Sequence, residues 1–493
     1  MKPESYDSLN LATNLIALER GKEELLLVSG DHLRPVYFAD GREYIKKFLA
    51  AIKELGGRIP LQEAFPHDRP LLDMLLAHGI VSEGDADNSP IRDAAFRWSK
   101  GQQSGLTLYL LLSQSCNMGC VYCLNGIKSY QKNDRLMMPE EVAYRSLDRV
   151  FSLVDPGGTL KIILFGGEPL LNWPLGRKAI LYCESLKPRY KEVNIEYYIT
   201  SNFSLLPSDL IYFVKEYRIG LLCDLDGPAP IHNRCRPFRN GRPSYDRIVR
   251  NVRTILDSGW PIQLRSTITA FNQDLMVDIA RHHREIGADS ISFVPVIPVN
   301  SDEEFVPETL LPSPSKLMQG LDEVFHNHII DYESIFPFTT FTQHVAPMTW
   351  GVVGCGTPYG TTPVVDVRGD VYPCIYMMGI KRYFMGNVMD GSFPDLEGCR
   401  RMLDLIHVDL NDECRGCRWR YLCGGGCPVL RLTVLENPKA SENVVNYCRA
   451  IYCDYSRKIL ELLLWRKAEE AVVRLGKEHP EAAGVSRPQA PVC

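Results

Sequence analysis

Between about residues 105 and 330, short apolar runs alternate with stretches in which apolar positions recur every three or four residues, the period of a helix with one buried face. The strand-like runs are TLYLLLSQ, LKIILFGG, VNIEYYITSN, IGLLCDLDG, IQLRSTIT and SISFVPVIP. The helical stretches between them are PEEVAYRSLDRVFSLV, RKAILYCESL, SDLIYFVKEY, YDRIVRNVRTILDSG and DLMVDIARHHREIG. Six strand and helix units in this order predict an α/β fold, a partial (β/α)6 barrel of the TIM type, with functional residues just beyond the strand C-termini.

The flanks have other periods. Residues 1–95 carry strand signals at ELLLV and PVYFAD, then Ile45, Phe48, Leu49, Ile52 and Leu55 at helical spacing, ended by Gly56-Gly57. A second short helix, RPLLDMLLAHGI, follows. The pattern predicts a winged-helix-like α+β module; a simple stabilising cap is the plainer alternative. From 340 to 455 periodicity fades while Cys, Gly and Pro accumulate, so this segment has little apolar surface to bury and depends on metal for its order. Residues 456–475 read as a closing helix and 476–493 as a disordered tail.

Composition narrows the function classes. With 493 residues and a net charge of -5, the chain has no excess of positive charge to serve as a nucleic-acid surface. The start, MKPESYDSLNLATN, lacks a secretory pattern and no apolar run is long enough to span a membrane, so a cytoplasmic protein is expected. Sixteen cysteines in such a compartment stay reduced, and tight clusters of them read as metal ligands.

The first cluster, SQSCNMGCVYCLNG, holds Cys116, Cys120 and Cys123 and no fourth thiol nearby. Three thiolates can hold three irons of a 4Fe-4S cube and leave the fourth iron open, whereas closed electron-transfer clusters take four cysteines. A structural zinc would want a fourth Cys or His at short spacing. The triplet, with Tyr122 just before its last cysteine, resembles the signature of the radical S-adenosylmethionine (radical SAM) enzymes. That resemblance implies that the open iron chelates S-adenosylmethionine, whose reductive cleavage gives a 5′-deoxyadenosyl radical able to take hydrogen from an unactivated C–H bond.

The same resemblance implies roles for residues after later strands. In FGGEP, Gly166 and Gly167 let backbone approach the cofactor and Glu168 meets its ammonium group. Ser201 and Asn202 match the ribose-contacting position, Arg265 a basic residue near the cofactor carboxylate, and Val294 and Pro295 a packing surface for adenine. Tyr122 belongs to this cofactor-binding group. The segment from Asp224 to Asp246 resembles the loop after strand four in peptide-modifying members, with Asp224, where those members often carry Ser, as a base or a capping group.

A second set lies downstream: Cys355, Cys374, then Cys414, Cys417, Cys423 and Cys427 spaced C-x2-C-x5-C-x3-C, with Cys448 and Cys453 beyond. Chance yields the four-cysteine array roughly 0.0005 times per chain at this composition, so coincidence can be set aside. The arrangement resembles the SPASM extension, which carries two auxiliary 4Fe-4S clusters, three clusters in all with the first. By that resemblance Cys414, Cys417, Cys423 and Cys448 hold the outer one, with Cys453 competing for the last place, and Cys355, Cys374 and Cys427 hold the inner one. Either the inner cluster lacks a fourth protein thiolate, or Cys399 or a distant thiol completes it. Sulfatase-maturing relatives place an aspartate base directly after the ligand equivalent to Cys374, where this chain has Ile375.

The implied activity is that of a radical SAM peptide maturase that forms Cys-to-carbon thioether crosslinks in a ribosomally made precursor peptide. The N-terminal module would recognise the peptide leader by adding it as a strand to a sheet edge, and a flavodoxin or ferredoxin would supply electrons. The alternatives are a carbon-carbon or ether crosslink, or a sulfatase-maturase-like protein oxidase. No nucleic acid or membrane partner is expected.

Overall fold

The computed structural model of the chain describes residues 9–12, 14–29, 35–55, 68–83, 103–123, 136–298, 305–327, 355–435 and 437–478. The expected Gly56-Gly57 helix stop, residues 84–95 of the first module, the 340–354 start of the Cys-rich segment and residues 479–493 of the tail lie outside the described residues.

The chain opens with strands β1 (Leu9–Leu11), β2 (Leu15–Arg20), β3 (Glu24–Ser29) and β4 (Pro35–Phe38), then helices α1 (Arg42–Leu55) and α2 (Arg69–Ala77) and strand β5 (Val81–Glu83). Strands β2, β3 and β4 form one antiparallel sheet in that order, while β5 pairs back with β1. Successive residues of a strand face opposite sides, and here both sides are used. Leu25, Leu27, Val36 and Phe38 pack on Ile45, Phe48, Leu49 and Ile52 of α1, whereas Ile16, Leu26 and Val28 join the core shared with the rest of the chain.

The main sheet begins with β6 (Gln103–Ser113) and continues through α3 (Glu140–Phe151), β7 (Val154–Gly166), α4 (Trp173–Leu186), β8 (Asn194–Ser201), α5 (Leu210–Glu216) and β9 (Gly220–Asp224). Two helices follow, α6 (Ala229–Cys235) and α7 (Tyr245–Asp257), then β10 (Gln263–Ile268), α8 (Met276–Ile286), β11 (Ser290–Pro295) and α9 (Pro314–His326). Strands β6 to β11 pair in sequence order and all parallel, as the alternating pattern predicts for a partial (β/α)6 barrel. Leu106, Leu108, Leu110 and Leu112 of β6 are buried on the helix-facing side with Leu160, Ile162 and Leu164 of β7, next to Val142, Leu147 and Val150 of α3. Glu140 and Glu141 in the first turn of α3 and Arg149 in its last complement the helix dipole.

The Cys-rich segment extends this sheet. Strand β12 (Val364–Val365) pairs parallel to β6 and antiparallel to β13 (Val371–Tyr372), so the hairpin is sewn to the first barrel strand. Helices α10 (Leu396–Ile406), α11 (Asp412–Arg415), α12 (Arg420–Cys423), α13 (Glu442–Arg449) and the closing helix α14 (Ser456–Glu478) follow. Residues 476–478, expected in the tail, are the last turn of α14. Among the described residues no helix is long and apolar enough to cross a membrane.

Candidate functional site

The cysteine triplet follows β6 at the C-terminal mouth of the barrel. The Ser115 amide donates to Ser113 Oγ (3.0 Å), turning the chain out of the strand. The loop is then pinned to the segment after α6: Gly119 N–H donates to Pro237 O (2.8 Å), Val121 N–H to Cys235 O (3.0 Å) and Arg239 N–H to Asn117 O (3.0 Å). Cys116, Cys120 and Cys123 are all partly exposed. Burial first, then Cys120 and Glu168, pushes the Cys116 thiol well above its usual range; burial takes Cys120 up to about 12, with Arg236 opposing.

Gly166 and Gly167 are needed here, for contact with the cysteine loop itself. Gly166 sits at φ +142, and a Cβ on it would lie 2.2 Å from Ser113 O; one on Gly167 would lie 2.4 Å from Ser115 O and 3.1 Å from Cys116 Cβ. Two backbone bonds close the contact, Gly167 N–H to Ser113 O (2.7 Å) and Glu168 N–H to Ser115 O (3.0 Å).

The Glu168 carboxylate is fully buried and accepts hydrogen bonds from the chain itself. Oε1 accepts from the Leu170 amide (2.9 Å) and Ser201 Oγ (2.8 Å), and Oε2 from the Asn202 amide (2.9 Å). Burial pushes its pKa up to about 7 against these donors, which is why a carboxylate here must be hydrogen-bonded from inside. Ser201 and Asn202 are correspondingly committed: Asn202 Nδ2 donates to Asn117 Oδ1 (3.0 Å) and stands 4.0 Å from Cys116 Sγ.

Tyr122 is likewise a support. Its hydroxyl bonds the buried Asp226, and Arg236 stacks 5.2 Å from its ring centre. Arg236 Nε pairs with Asp226 (3.0 Å) and its Nη1 with Asp224 (3.5 Å), while Arg265 Nε pairs with Asp224 at 2.7 Å. Burial pushes Asp224 up, but Arg265 and Arg236 hold it below the usual carboxylate range. Asp224 is thus an ion-pair partner of two arginines. Arg265 is engaged by Asp224. Val294 is half-buried and Pro295 buried on β11. Sequence reasoning missed Asp226 and Arg236; their signal was the Asp-x-Asp at the end of β9 and the four arginines, Arg234, Arg236, Arg239 and Arg242, inside the segment 224–246.

The downstream cysteines fall into two groups. Cys374, just after β13, is in electrostatic reach of Cys427 and Cys355, and Cys355 Sγ lies 3.3 Å from Thr357 Oγ1. Cys423, pushed up to about 12 by burial and then by Cys414, Cys453 and Cys417, marks the other group. Cys448 is fully buried. Cys399 packs near Asp395 and 3.0 Å from where a Gly360 Cβ would stand. Tyr376, two residues past Cys374, is in electrostatic reach of Arg265 and Asp224 on one side and Cys374 and Cys427 on the other. It went unnoticed in the sequence.

Among the described residues no three His, Cys, Asp or Glu side chains converge as ligands of a single ion do. Thiols grouped but spread suit iron-sulfur cubes, whose sulfur ligands attach to separate irons. The glycine-lined approach of β7 to the cysteine loop and the thiols' partial exposure fit a cluster at the triplet.

Residues 110–286 match the family model of the Radical SAM superfamily. A serine-type anaerobic sulfatase-maturating enzyme of Bacteroides thetaiotaomicron is 22% identical over 382 residues, covering 72% of this chain and 89% of that protein. The structure resembles native anSMEcpe with bound AdoMet and Kp18Cys peptide, at TM-score 0.59 and 21% identity over 73% of this chain and 97% of that one. It also resembles Streptococcus suis SuiB bound to precursor peptide SuiA, at TM-score 0.50 and 16% identity over 86% of this chain and 96% of that one.

Proposed function

We propose that this enzyme, whose residues 110–286 carry the radical SAM fold, is a maturase that crosslinks a ribosomally made precursor peptide. The observation that carries the reading is the joining of two thiol sites in one sheet: the triplet opens at the mouth of β6, and the hairpin that presents Cys374 is hydrogen-bonded to the same strand. When bound, S-adenosylmethionine on a 4Fe-4S cluster supplies a radical able to take hydrogen from a C–H bond. Cys116, Cys120 and Cys123 would hold that cluster, and Gly166 and Gly167 let β7 press on the loop that presents them. Glu168, Ser201 and Asn202 keep two strand ends together behind it. Arg236, Asp226 and Tyr122 form a buried, neutralised wall.

Peptide recognition is supported by the first module, whose β2 and β4 each pair on one side only among the described residues, which suits strand addition. The relatives that bind a substrate or precursor peptide share this fold. A thioether from substrate cysteine to carbon follows if the inner group, Cys355, Cys374 and Cys427, leaves an iron free for sulfur. A carbon-carbon or ether crosslink is the second reading, and follows if a further thiol of the chain, such as Cys399 or a distant one, fills that iron.

The test is anaerobic reconstitution with iron and sulfide, reduction by flavodoxin, ferredoxin or dithionite, and assay of 5′-deoxyadenosine and of peptide mass. Formation of 5′-deoxyadenosine with loss of two hydrogens per crosslink is expected. Cysteine-free peptide variants decide the bond: loss of all product with them means a thioether, and retention means carbon-carbon or ether.

A further inference from the structure

We propose that the arginine row formed by the turn 238–242 and helix α7 is the docking surface for an acidic protein that carries single electrons. The inference rests on the radical SAM reading, in which cleavage of the cofactor takes one electron from outside the chain, and deepens it by naming where the donor binds.

Between residues 239 and 257 the chain exposes five arginines, Arg239, Arg242, Arg247, Arg250 and Arg253, against two aspartates, Asp246 and Asp257. The whole chain carries a net charge of -5, so this positive charge is local and does not follow from composition. On α7 the arginines fall three residues apart, which keeps neighbours on one side of the helix, where like charges repel. Asp246 and Asp257 stand four residues from Arg250 and Arg253, yet among the described residues none of Arg242, Arg247, Arg250 and Arg253 forms an ion pair. Arginines on the neighbouring helices do: Arg177 of α4 pairs with Asp209 at 2.5 Å and Arg281 of α8 with Asp278 at 3.7 Å.

Exposed arginines are ordinarily a solvated face; position sets these apart. The turn is closed by Phe238 N–H to Arg242 O (2.9 Å) and Gly241 N–H to Phe238 O (2.8 Å). One side of it lies on the cysteine loop, where Arg239 N–H donates to Asn117 O and Gly119 N–H to Pro237 O, and Met118 bridges to Phe238. Gly119, between Cys116 and Cys120, comes so close that a Cβ on it would stand 3.6 Å from Arg239 Cα. Helix α7 is held to the same loop by a second route. Its Asn251 Nδ2 donates to Phe203 O (2.8 Å), and the next residue, Ser204, accepts from Asn117 Nδ2 at 2.7 Å. A carrier seated on the arginine row is therefore one backbone hydrogen bond from the residue that follows Cys116.

A positive row without acidic counterparts on its own chain is complementary to an acidic partner, and such complementarity speeds encounter and fixes orientation. The transfer is a single electron: the carrier is oxidised by one and the cluster held by the triplet is reduced by one, with no proton or group moved.

The test compares reduced flavodoxin, reduced ferredoxin and dithionite, a small reductant that needs no docking surface, on the anaerobically reconstituted full chain. The rate of 5′-deoxyadenosine formation and the reduction of the cluster, followed by electron paramagnetic resonance, are read. With Arg247→Glu, Arg250→Glu and Arg253→Glu combined, rates with the protein carriers are expected to fall about tenfold or more at low salt, while the dithionite rate is unchanged. Added salt should slow the unsubstituted enzyme with a protein carrier and narrow that gap. Unchanged rates with both carriers overturn the proposal, and so does an equal fall with dithionite. Loss of crosslinked peptide with carrier-driven 5′-deoxyadenosine intact would assign the row to the precursor peptide and overturn it as well. Because charge reversal can disturb folding, Arg247→Lys, Arg250→Lys and Arg253→Lys supply a second measurement, keeping the charge and adding amines. Carbodiimide should couple carrier carboxylates to these positions; coupling only elsewhere overturns the assignment. Failure of the radical SAM reading would show separately, as absence of 5′-deoxyadenosine from the unsubstituted enzyme with every reductant, dithionite included.

Discussion

Arg265 Nε donates to Asp224 Oδ1 at 2.7 Å between register partners on β10 and β9, and both side chains are largely withdrawn from solvent. Removing one member of such a pair leaves a charge without its counterpart, which costs about 3 kcal/mol or more. Asp224→Asn is therefore expected to lower the melting temperature more than Arg265→Gln, because Asp224 also receives Arg236 (3.5 Å). The double variant should recover part of the loss. Additive losses in thermal denaturation would show that the pair is not coupled.

Gly167→Ala should separate the cysteine loop from β7, since the new methyl would stand 2.4 Å from Ser115 O and 3.1 Å from Cys116 Cβ. The expected result is loss of the iron bound by the triplet and of 5′-deoxyadenosine formation, with auxiliary iron retained. Iron counting on the purified variant checks it; full iron with full activity would mean the loop tolerates the displacement.

Glu168→Gln tests the inward-turned carboxylate. An amide nitrogen in place of Oε2 would face the Asn202 N–H, 2.9 Å away, and two donors would meet. An unsatisfied buried polar group costs about 1–3 kcal/mol. A melting temperature equal to that of the unsubstituted protein would show that Glu168 does not bind the two strand ends.

Much of the barrel was legible because each strand carries a run of apolar and β-branched residues and each helix a periodic face. What escaped did so for physical reasons. Strand β2, LIALER, mixes charge into its alternation because its end is half exposed, with Arg20 reaching Glu24 and Glu469 across the surface. Helix α6, seven residues starting after Pro228, is too short to show a period, and β12 and β13 are two residues each, defined by their pairing with β6 and not by composition. At the site the cysteines were visible as spacing, yet spacing alone does not encode which group Cys448 and Cys453 join. The inward turn of Glu168 and the engagement of Tyr122 by Asp226 are tertiary contacts across 34 and 104 residues that no local pattern encodes.

The first module meets the closing helix through Arg20 and Tyr37. Arg20 of β2 lies 4.5 Å over the Trp465 ring and donates to Glu469 Oε1 (2.5 Å), and Tyr37 of β4 meets the same ring edge-on at 6.2 Å. Trp465→Ala should free this face of the sheet, raise the rate of limited proteolysis within the first ninety or so residues, and weaken peptide binding while leaving peptide-independent 5′-deoxyadenosine formation intact. Arg20→Ala should do the same more weakly, since its ion pair is half exposed and such pairs contribute about 0–1 kcal/mol. Unchanged proteolysis in the tryptophan variant would show that the module is held elsewhere.

Two buried histidines set the acid limit of stability. His283 Nε2 lies 3.0 Å from Leu225 O and 2.8 Å from Ser266 Oγ, with His282 against its other nitrogen, and His232 is enclosed by Ser244, Arg236 and the Asp226 amide. Burial, then His282 for the one and Arg236 for the other, depresses both to about 3 from an ordinary 6.5. Between those values the unfolded chain binds more protons than the folded one, so stability is complete above pH about 6.5 and is lost as pH falls toward 3. At pH 5 the loss is about 2 kcal/mol per histidine. Melting temperatures measured from pH 7.5 to 5 should fall for the unsubstituted protein, by less than the two histidines alone would give. Glu168, raised to about 7 by burial, takes up its proton in the folded state over the same range and adds stability. His283→Asn should start lower at pH 7.5 and fall less, and parallel curves for the two proteins would show that His283 is not the group being titrated.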